Sequence, residues 1–164
     1  MARALFVGCG CRGRELGRRL RAGGWEVRGT TRDPGRLGEL ERAGIEGVVA
    51  DPDRIGTVLD HVGDVAVLAW LLGSAVGNAE LLAAIHGPRL ERLLEELVDT
   101  PVRGFVYEGA GRVQARRLRA GTELALGAAE RWRIPVGVIE HDPSDWRGWV
   151  DAAEGAVRRL TRTI

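Results

Sequence analysis

The stretch Ala4–Arg32, ALFVGCGCRGRELGRRLRAGGWEVRGTTR, decides the fold. It opens on an apolar run, Ala4 to Val7, of the length of one buried strand. Gly8, Gly10 and Gly13 follow in the spacing G-x-G-x-x-G, and Leu16 and Leu20 then stand one helical turn apart. The segment GGWEV leads into a second strand that ends at Thr31 and Arg32. Strand, glycine loop, amphipathic helix and strand, in that order, predict a parallel unit with the loop at the positive end of the helix.

Each glycine has its own mechanical task in such a unit. Gly8 permits the sharp turn out of the strand, Gly10 leaves bare backbone for a pyrophosphate, and Gly13 lets the helix pack closely on the strand. Phosphate charge would then meet unpaired N–H groups and the helix dipole. The expected cofactor-binding loop is therefore Gly8, Cys9, Gly10, Cys11, Arg12 and Gly13, and the expected ligand a dinucleotide. The competing reading is an ordinary tight turn in a chain with 24 glycines.

The end of the second strand selects the ribose. A carboxylate there accepts hydrogen bonds from a free diol; this chain has Thr31 and Arg32 instead. A hydroxyl and a guanidinium suit a ribose phosphate, which favours NADP(H), with NAD(H) the alternative. Asp33 competes for the role, but it opens the turn sequence Asp33-Pro34-Gly35 and reads as a turn or cap residue.

Composition fits one soluble domain over residues 1–164, with 45% apolar residues and a formal net charge of +1. That charge offers no general attraction for nucleic acid or an anionic membrane. All 24 basic residues are arginine, so no lysine can act as base, Schiff-base former or proton relay. No apolar run reaches the length of about 18 residues that spans a bilayer, and no targeting segment is visible, so the expected location is cytoplasmic. Cys9 and Cys11, the two cysteines, are expected as small residues beside the ligand; no metal site is expected of them.

Strand and helix signals alternate through the rest of the chain. Helix Leu37–Ala43 precedes a strand at Gly47–Ala50, and helix Ile55–His61 precedes a strand at Asp64–Leu72, whose run VAVLAWLL reads as buried on both faces. Helices Asn78–His86 and Arg89–Leu97 follow, then strand Val102–Tyr107, helix Val113–Trp132, strand Val136–Ile139 and helix Trp146–Arg162. The prediction is an α/β fold of three layers: a doubly wound parallel six-stranded sheet of order 3-2-1-4-5-6.

The glycine loop and following helix, Asp51 after the third strand, and VAVLAWLLG resemble the atypical or extended short-chain dehydrogenase/reductase superfamily, in its epimerase-like or NmrA-like branch, reduced to the Rossmann domain. The resemblance covers roughly residues 3 to 140 and is specific in the first thirty. It implies that Gly8, Gly10 and Gly13 hold the pyrophosphate, that Thr31 and Arg32 select the ribose, and that Asp51 contacts the adenine amino group. It further implies that the backbone around Ala69, Trp70 and Leu71 flanks the nicotinamide-side ribose. Asp51 serves equally well as a cap before Pro52.

The chain departs from that family in its chemistry. The family's Tyr-x-x-x-Lys pair moves a proton while the cofactor moves hydride. Here the sole tyrosine, Tyr107, is followed four residues later by Gly111. Residues 143–164 supply a helix in place of a substrate domain. Weak catalytic candidates are Tyr107, Glu108 and His141; His61 and His86, read as helix-end cations, carry no functional expectation. The stripe Trp146, Trp149, Val150, Ala153, Val157 and Leu160 either covers the sheet or forms a homodimer or partner surface. Two functions remain open: a non-catalytic or cofactor-sensing NAD(P)-binding domain, and a small NADP-dependent oxidoreductase or epimerase-like enzyme with unconventional acid/base groups.

Overall fold

A computed structural model describes residues 1–162. Six strands form one sheet: β1 (Arg3–Val7), β2 (Glu26–Thr31), β3 (Glu46–Val49), β4 (Val67–Trp70), β5 (Gly104–Glu108) and β6 (Val136–Ile139). All pairings are parallel and the order is β3-β2-β1-β4-β5-β6, as the alternating pattern predicted. The helices are α1 (Cys11–Ala22), α2 (Leu37–Arg42), α3 (Ile55–Leu59), α4 (Ala79–Ile85), α5 (Pro88–Leu97), α6 (Ala115–Trp132) and α7 (Trp146–Arg162).

Two apolar cores lie on opposite faces of the sheet because strand side chains alternate. Ala4, Phe6 and Ala69 point to one face and pack with Leu16, Leu20, Leu40, Trp149, Ala153 and Val157 from α1, α2 and α7. Leu5, Val7, Leu68, Trp70, Phe105 and Tyr107 point to the other and meet α3 to α6. Most of the α7 stripe is thus spent covering the sheet of its own chain. Trp146 stays 48% exposed, while Trp149 is 1% exposed.

Several boundaries differ from expectation, and β4 differs most. Its expected first residue, Asp64, is instead held at the sheet rim, where the nearly buried Arg28 guanidinium donates to its carboxylate at 2.7 Å. At the other end Leu71 still donates to the Val7 carbonyl at 2.8 Å, but the next main-chain groups are captured by side chains. The Leu72 carbonyl goes to His86 and the Gly73 N–H to Glu108, which draws the chain off the ladder.

The glycine packing roles also redistribute. Gly8 has φ +85°, and a Cβ there would stand 2.6 Å from the Leu71 carbonyl oxygen. The close helix–strand contact expected at Gly13 belongs to Gly17, one turn on. A Cβ on Gly17 would lie 2.5 Å from Ile45 Cδ1, whereas at Gly13 the nearest atom is Cys9 Sγ at an ordinary 3.5 Å.

Candidate functional site

A cavity of about 500 Å³ opens along the C-terminal ends of β1, β2 and β4. Its floor is the loop Gly8–Gly13, one end is bordered by Thr31, Arg32 and Arg36, and the other reaches Leu71, Leu72, Ser74, Glu108 and Trp149. A Cβ on Gly10 would meet no atom within 4 Å, so this glycine leaves open space above the backbone. Gly10 is also the N-cap of α1, without a side-chain cap and without an acidic residue in the first turn. The first-turn N–H groups and dipole of α1 consequently face the cavity with no competing carboxylate from the helix itself.

The two cysteines part company. Cys9 is tucked against Gly29 and Gly13, and burial pushes its thiol up to about 12. It is a small packing residue with an unreactive sulfur. Cys11 is exposed, and Arg14 Nη2 donates to its sulfur at 3.2 Å.

At the end of the cavity bordered by β2, Thr31 exchanges bonds with the backbone of Asp33: its hydroxyl accepts from the Asp33 N–H at 3.1 Å and lies 3.3 Å from the Asp33 carbonyl. Asp33 caps the short 3₁₀ turn Pro34–Arg36, accepting from the Gly35 N–H at 2.9 Å, which is the turn role read from its sequence. The turn brings Arg36 to the cavity beside Arg32. Sequence reasoning missed Arg36; its signal was a second arginine four residues after Arg32, across a proline–glycine turn. Asp51 lies beside the cavity, lined here by Ala50 and Pro52, and its carboxylate accepts from the Asp53 N–H at 2.9 Å. Ala69 and Trp70 are buried in the strand, and the Trp70 indole donates to the Ile85 carbonyl at 3.0 Å; of that segment, Leu71 and Leu72 reach the cavity.

The three catalytic candidates fall in different places. His141 is in the loop before α7, paired with Asp145 at 2.8 Å and outside the cavity lining. Tyr107 is fully buried on the far face of the sheet, with its hydroxyl 2.7 Å from His86 Nδ1. His86 Nε2 is 2.9 Å from the Leu72 carbonyl. A carbonyl only accepts, so Nε2 carries the proton and Nδ1 accepts from the tyrosine. Burial lowers the His86 pKa, partly offset by the Leu72 carbonyl and reinforced by the Arg117 charge. Burial, then the Glu108 charge, holds the Tyr107 phenol well above its ordinary value of 10. The helix-end cation expected at position 86 is therefore a buried neutral ring, because the turn at Gly87 and Pro88 folds it over β5.

Glu108 alone of the three lines the cavity, at 2% exposure. One oxygen accepts from the Gly73 N–H at 2.6 Å. Burial raises its pKa from 4.5, while the Gly73 N–H, the Arg12 charge and the Trp149 indole pull the other way. Arg12 stacks over Trp149 at 5.6 Å. Among the described residues, no cluster of histidine, cysteine or carboxylate is arranged to hold a metal, and no helix is long and apolar enough to cross a membrane.

No protein-family model matches the sequence, and a search of curated proteins finds no match. Solved structures do share the fold. Serine dehydrogenase from Escherichia coli superposes with a TM-score of 0.70 at 16% identity, over 92% of this chain and 88% of that one. A short-chain dehydrogenase/reductase superfamily protein from Agrobacterium tumefaciens with bound NAD gives 0.65 at 20% identity, over 83% of this chain and 48% of that one. UDP-glucuronic acid 4-epimerase from Bacillus cereus, in complex with NAD, gives 0.63 at 15% identity, over 87% and 59%. The chain thus spans about half to three-fifths of the length of the last two. At these identities the likeness shows the fold: a Rossmann-like sheet shared with epimerase and short-chain dehydrogenase/reductase proteins.

Proposed function

We propose that the chain is a nicotinamide dinucleotide-binding domain, with the diphosphate on Gly8–Gly13 and the adenosine ribose toward Thr31 and Arg32. The observation that carries this reading is the open backbone at Gly10, set at an uncapped helix N-terminus on the floor of an elongated cavity. Arg32 and Arg36 at one end favour a 2′-phosphate, hence NADP(H) over NAD(H). The neighbours that hold NAD support the cofactor class. Separate thermal-shift titrations with NADPH and NADH test it, since a ligand that binds only the native state must stabilise it. Absence of a shift with either at millimolar concentration overturns the reading.

Within that reading a cofactor-sensing or non-catalytic role in a cytoplasmic setting comes first. The sole tyrosine of the chain, Tyr107, is turned into the core against His86 and does not reach the cavity, and the chain has no lysine to make a Tyr-x-x-x-Lys pair. A small NADP-dependent oxidoreductase or epimerase-like enzyme is the second reading, favoured by the buried carboxyl of Glu108 in the cavity. Oxidation of NADPH over a carbonyl panel, abolished by Glu108→Gln, would select the second; its absence with every carbonyl selects the first.

A further inference from the structure

One peptide unit at the cavity wall is gripped from both faces of the sheet. The Leu72 carbonyl and the Gly73 N–H belong to the same planar peptide and leave it in opposite directions. The carbonyl accepts from His86 Nε2 at 2.9 Å on the far face, and the N–H donates to Glu108 Oε1 at 2.6 Å on the cavity side. Behind His86 stands Tyr107, whose hydroxyl donates to Nδ1 at 2.7 Å, so three bonds run in one direction from the core to the cavity and polarise one another. Burial lowers the pKa of the ring, which keeps a single proton, on Nε2.

This grip competes with the sheet. The register of β4 on β5 runs from Val67 opposite Gly104 to Trp70 opposite Tyr107. One more step would set Leu71 against Glu108, and the apolar run continues through Leu72, which favours a longer buried strand. Instead the Gly73 carbonyl accepts from the Val113 N–H at 3.0 Å and the Ser74 hydroxyl from the Arg112 N–H at 3.2 Å, which ties the segment to the loop before α6. The approach there is close: a Cβ on Gly73 would lie 2.1 Å from the Ala110 carbonyl oxygen. Leu71, Leu72 and Ser74, which this segment turns toward the cavity, owe their place to that diversion.

We infer that His86 is a positioning residue of the cavity: acting through the Leu72–Gly73 peptide, which Glu108 holds from the other side, it stops β4 short and sets the wall that a coenzyme meets. The ring itself is 2% exposed and outside the cavity lining, so it acts without touching a ligand. Its part in coenzyme affinity rests on the dinucleotide reading; its part in the wall does not.

Two conservative variants separate the two bonds of the ring, because asparagine places its amide near Nδ1 and glutamine places its amide near Nε2. His86→Asn keeps an acceptor for Tyr107 and loses the donor to Leu72; His86→Gln keeps that donor and loses the acceptor. Hydrogen exchange at the Gly73 amide, read in the full chain against the amides of β1, should speed up about tenfold in His86→Asn and stay within about threefold of wild type in His86→Gln. Isothermal titration should show NADPH binding about fivefold weaker in His86→Asn and within about twofold of wild type in His86→Gln. Urea unfolding should find both variants destabilised, since each gives up one buried bond, so a purely structural role cannot set them apart. Gly73 exchange that is alike in the two variants overturns the inference, and so does NADPH affinity that is alike in them. If NADPH and NADH both fail to bind the wild type, the dinucleotide reading falls and the exchange result alone decides for or against His86. Should either variant fail to fold, ¹⁵N spectra of the wild type decide instead: saturating NADPH should move the His86 ring resonances and leave those of His61 in place, and an unmoved His86 ring overturns the inference.

Discussion

Gly8 and Gly10 stand two residues apart and should fail in opposite ways when each is given a methyl group. At Gly8 the backbone is left-handed and the new Cβ would lie 2.6 Å from the Leu71 carbonyl oxygen and 2.7 Å from Leu72 Cδ2. The left-handed conformation alone costs about 1–2 kcal/mol, and relieving the overlap adds about 1–3 kcal/mol. A chain of this length loses about 2–4 °C of melting temperature per kcal/mol, so Gly8→Ala should melt roughly 4–20 °C lower. At Gly10, with φ −84° and no atom within 4 Å of a Cβ, the fold has no reason to object. The reduced freedom of the unfolded chain gains about 0.4–1 kcal/mol, and the poorer N-cap costs a similar amount. Its melting temperature should stay within about 3 °C of wild type. The methyl instead occupies the space assigned to the diphosphate. At a coenzyme concentration of 100 times the wild-type Kd, binding stabilises the wild type by about 2.7 kcal/mol; a tenfold weaker Kd reduces this to about 1.4 kcal/mol. Differential scanning fluorimetry with and without NADPH reads both quantities. Gly10→Ala with a full coenzyme-induced shift would refute the placement of the diphosphate, and Gly8→Ala with an unchanged melting temperature would refute the strain argument.

Other consequences can be tested singly. Arg32→Ala and Arg36→Ala should each weaken NADPH about three- to tenfold more than NADH, as expected for a charge-assisted contact to phosphate, and isothermal titration with both coenzymes checks this; equal losses would remove the ribose-phosphate assignment. Tyr107→Phe leaves His86 Nδ1 buried without a donor and should cost about 1–3 kcal/mol in urea unfolding, with coenzyme affinity unaltered. His86 has an ordinary value of 6.5 that the fold lowers. The unfolded chain therefore binds a proton that the native ring refuses. Stability from this group is intact above 6.5 and falls as pH drops toward the lowered native value, by up to about 1.4 kcal/mol per pH unit. Urea unfolding at pH 7.5 and 5.5 should show a smaller drop in His86→Gln than in wild type. In the native protein at pH 8, one thiol, Cys11, should react with a chromogenic disulfide reagent, and Cys9 should follow only on unfolding.

Much of the architecture was legible because its signals are local. The G-x-G-x-x-G spacing sits between a strand and an amphipathic helix, and the run VAVLAWLL marks the buried strand β4, although only Val67–Trp70 of it joins the ladder. Asp33 was readable as a turn residue because proline and glycine follow it directly. The site's inner end was opaque for the opposite reason. Arg12 and Trp149 belong to the first and last helices, and no pattern within either segment announces that they stack. The same holds for His86, which reads as a helix-end cation because nothing local to it announces that β5 places Tyr107 opposite. Strand alternation did put Phe105 and Tyr107 on one face and Glu108 on the other, so the separation of those two candidates was present in the sequence. The tight approach at Gly17 was hidden because Ile45, its partner, arrives from the entry to β3.

The contact between α1 and α7 also has a consequence for how the molecule is made. Arg19 pairs with Asp151, and Arg158 of α7 reaches Gly23 at the end of α1, so the two helices are neighbours. The glycine loop emerges from the ribosome well before the wall that carries Trp149, which follows only after all six strands of the sheet have been synthesised. A nascent chain halted before α7 would present a glycine loop beside an uncovered apolar sheet face, which is a substrate for chaperones before it is a receptor for a coenzyme. Closure across so great a sequence separation is also slow. Maturation of this sheet should then be paced by the arrival of α7, and coenzyme capture would report that step.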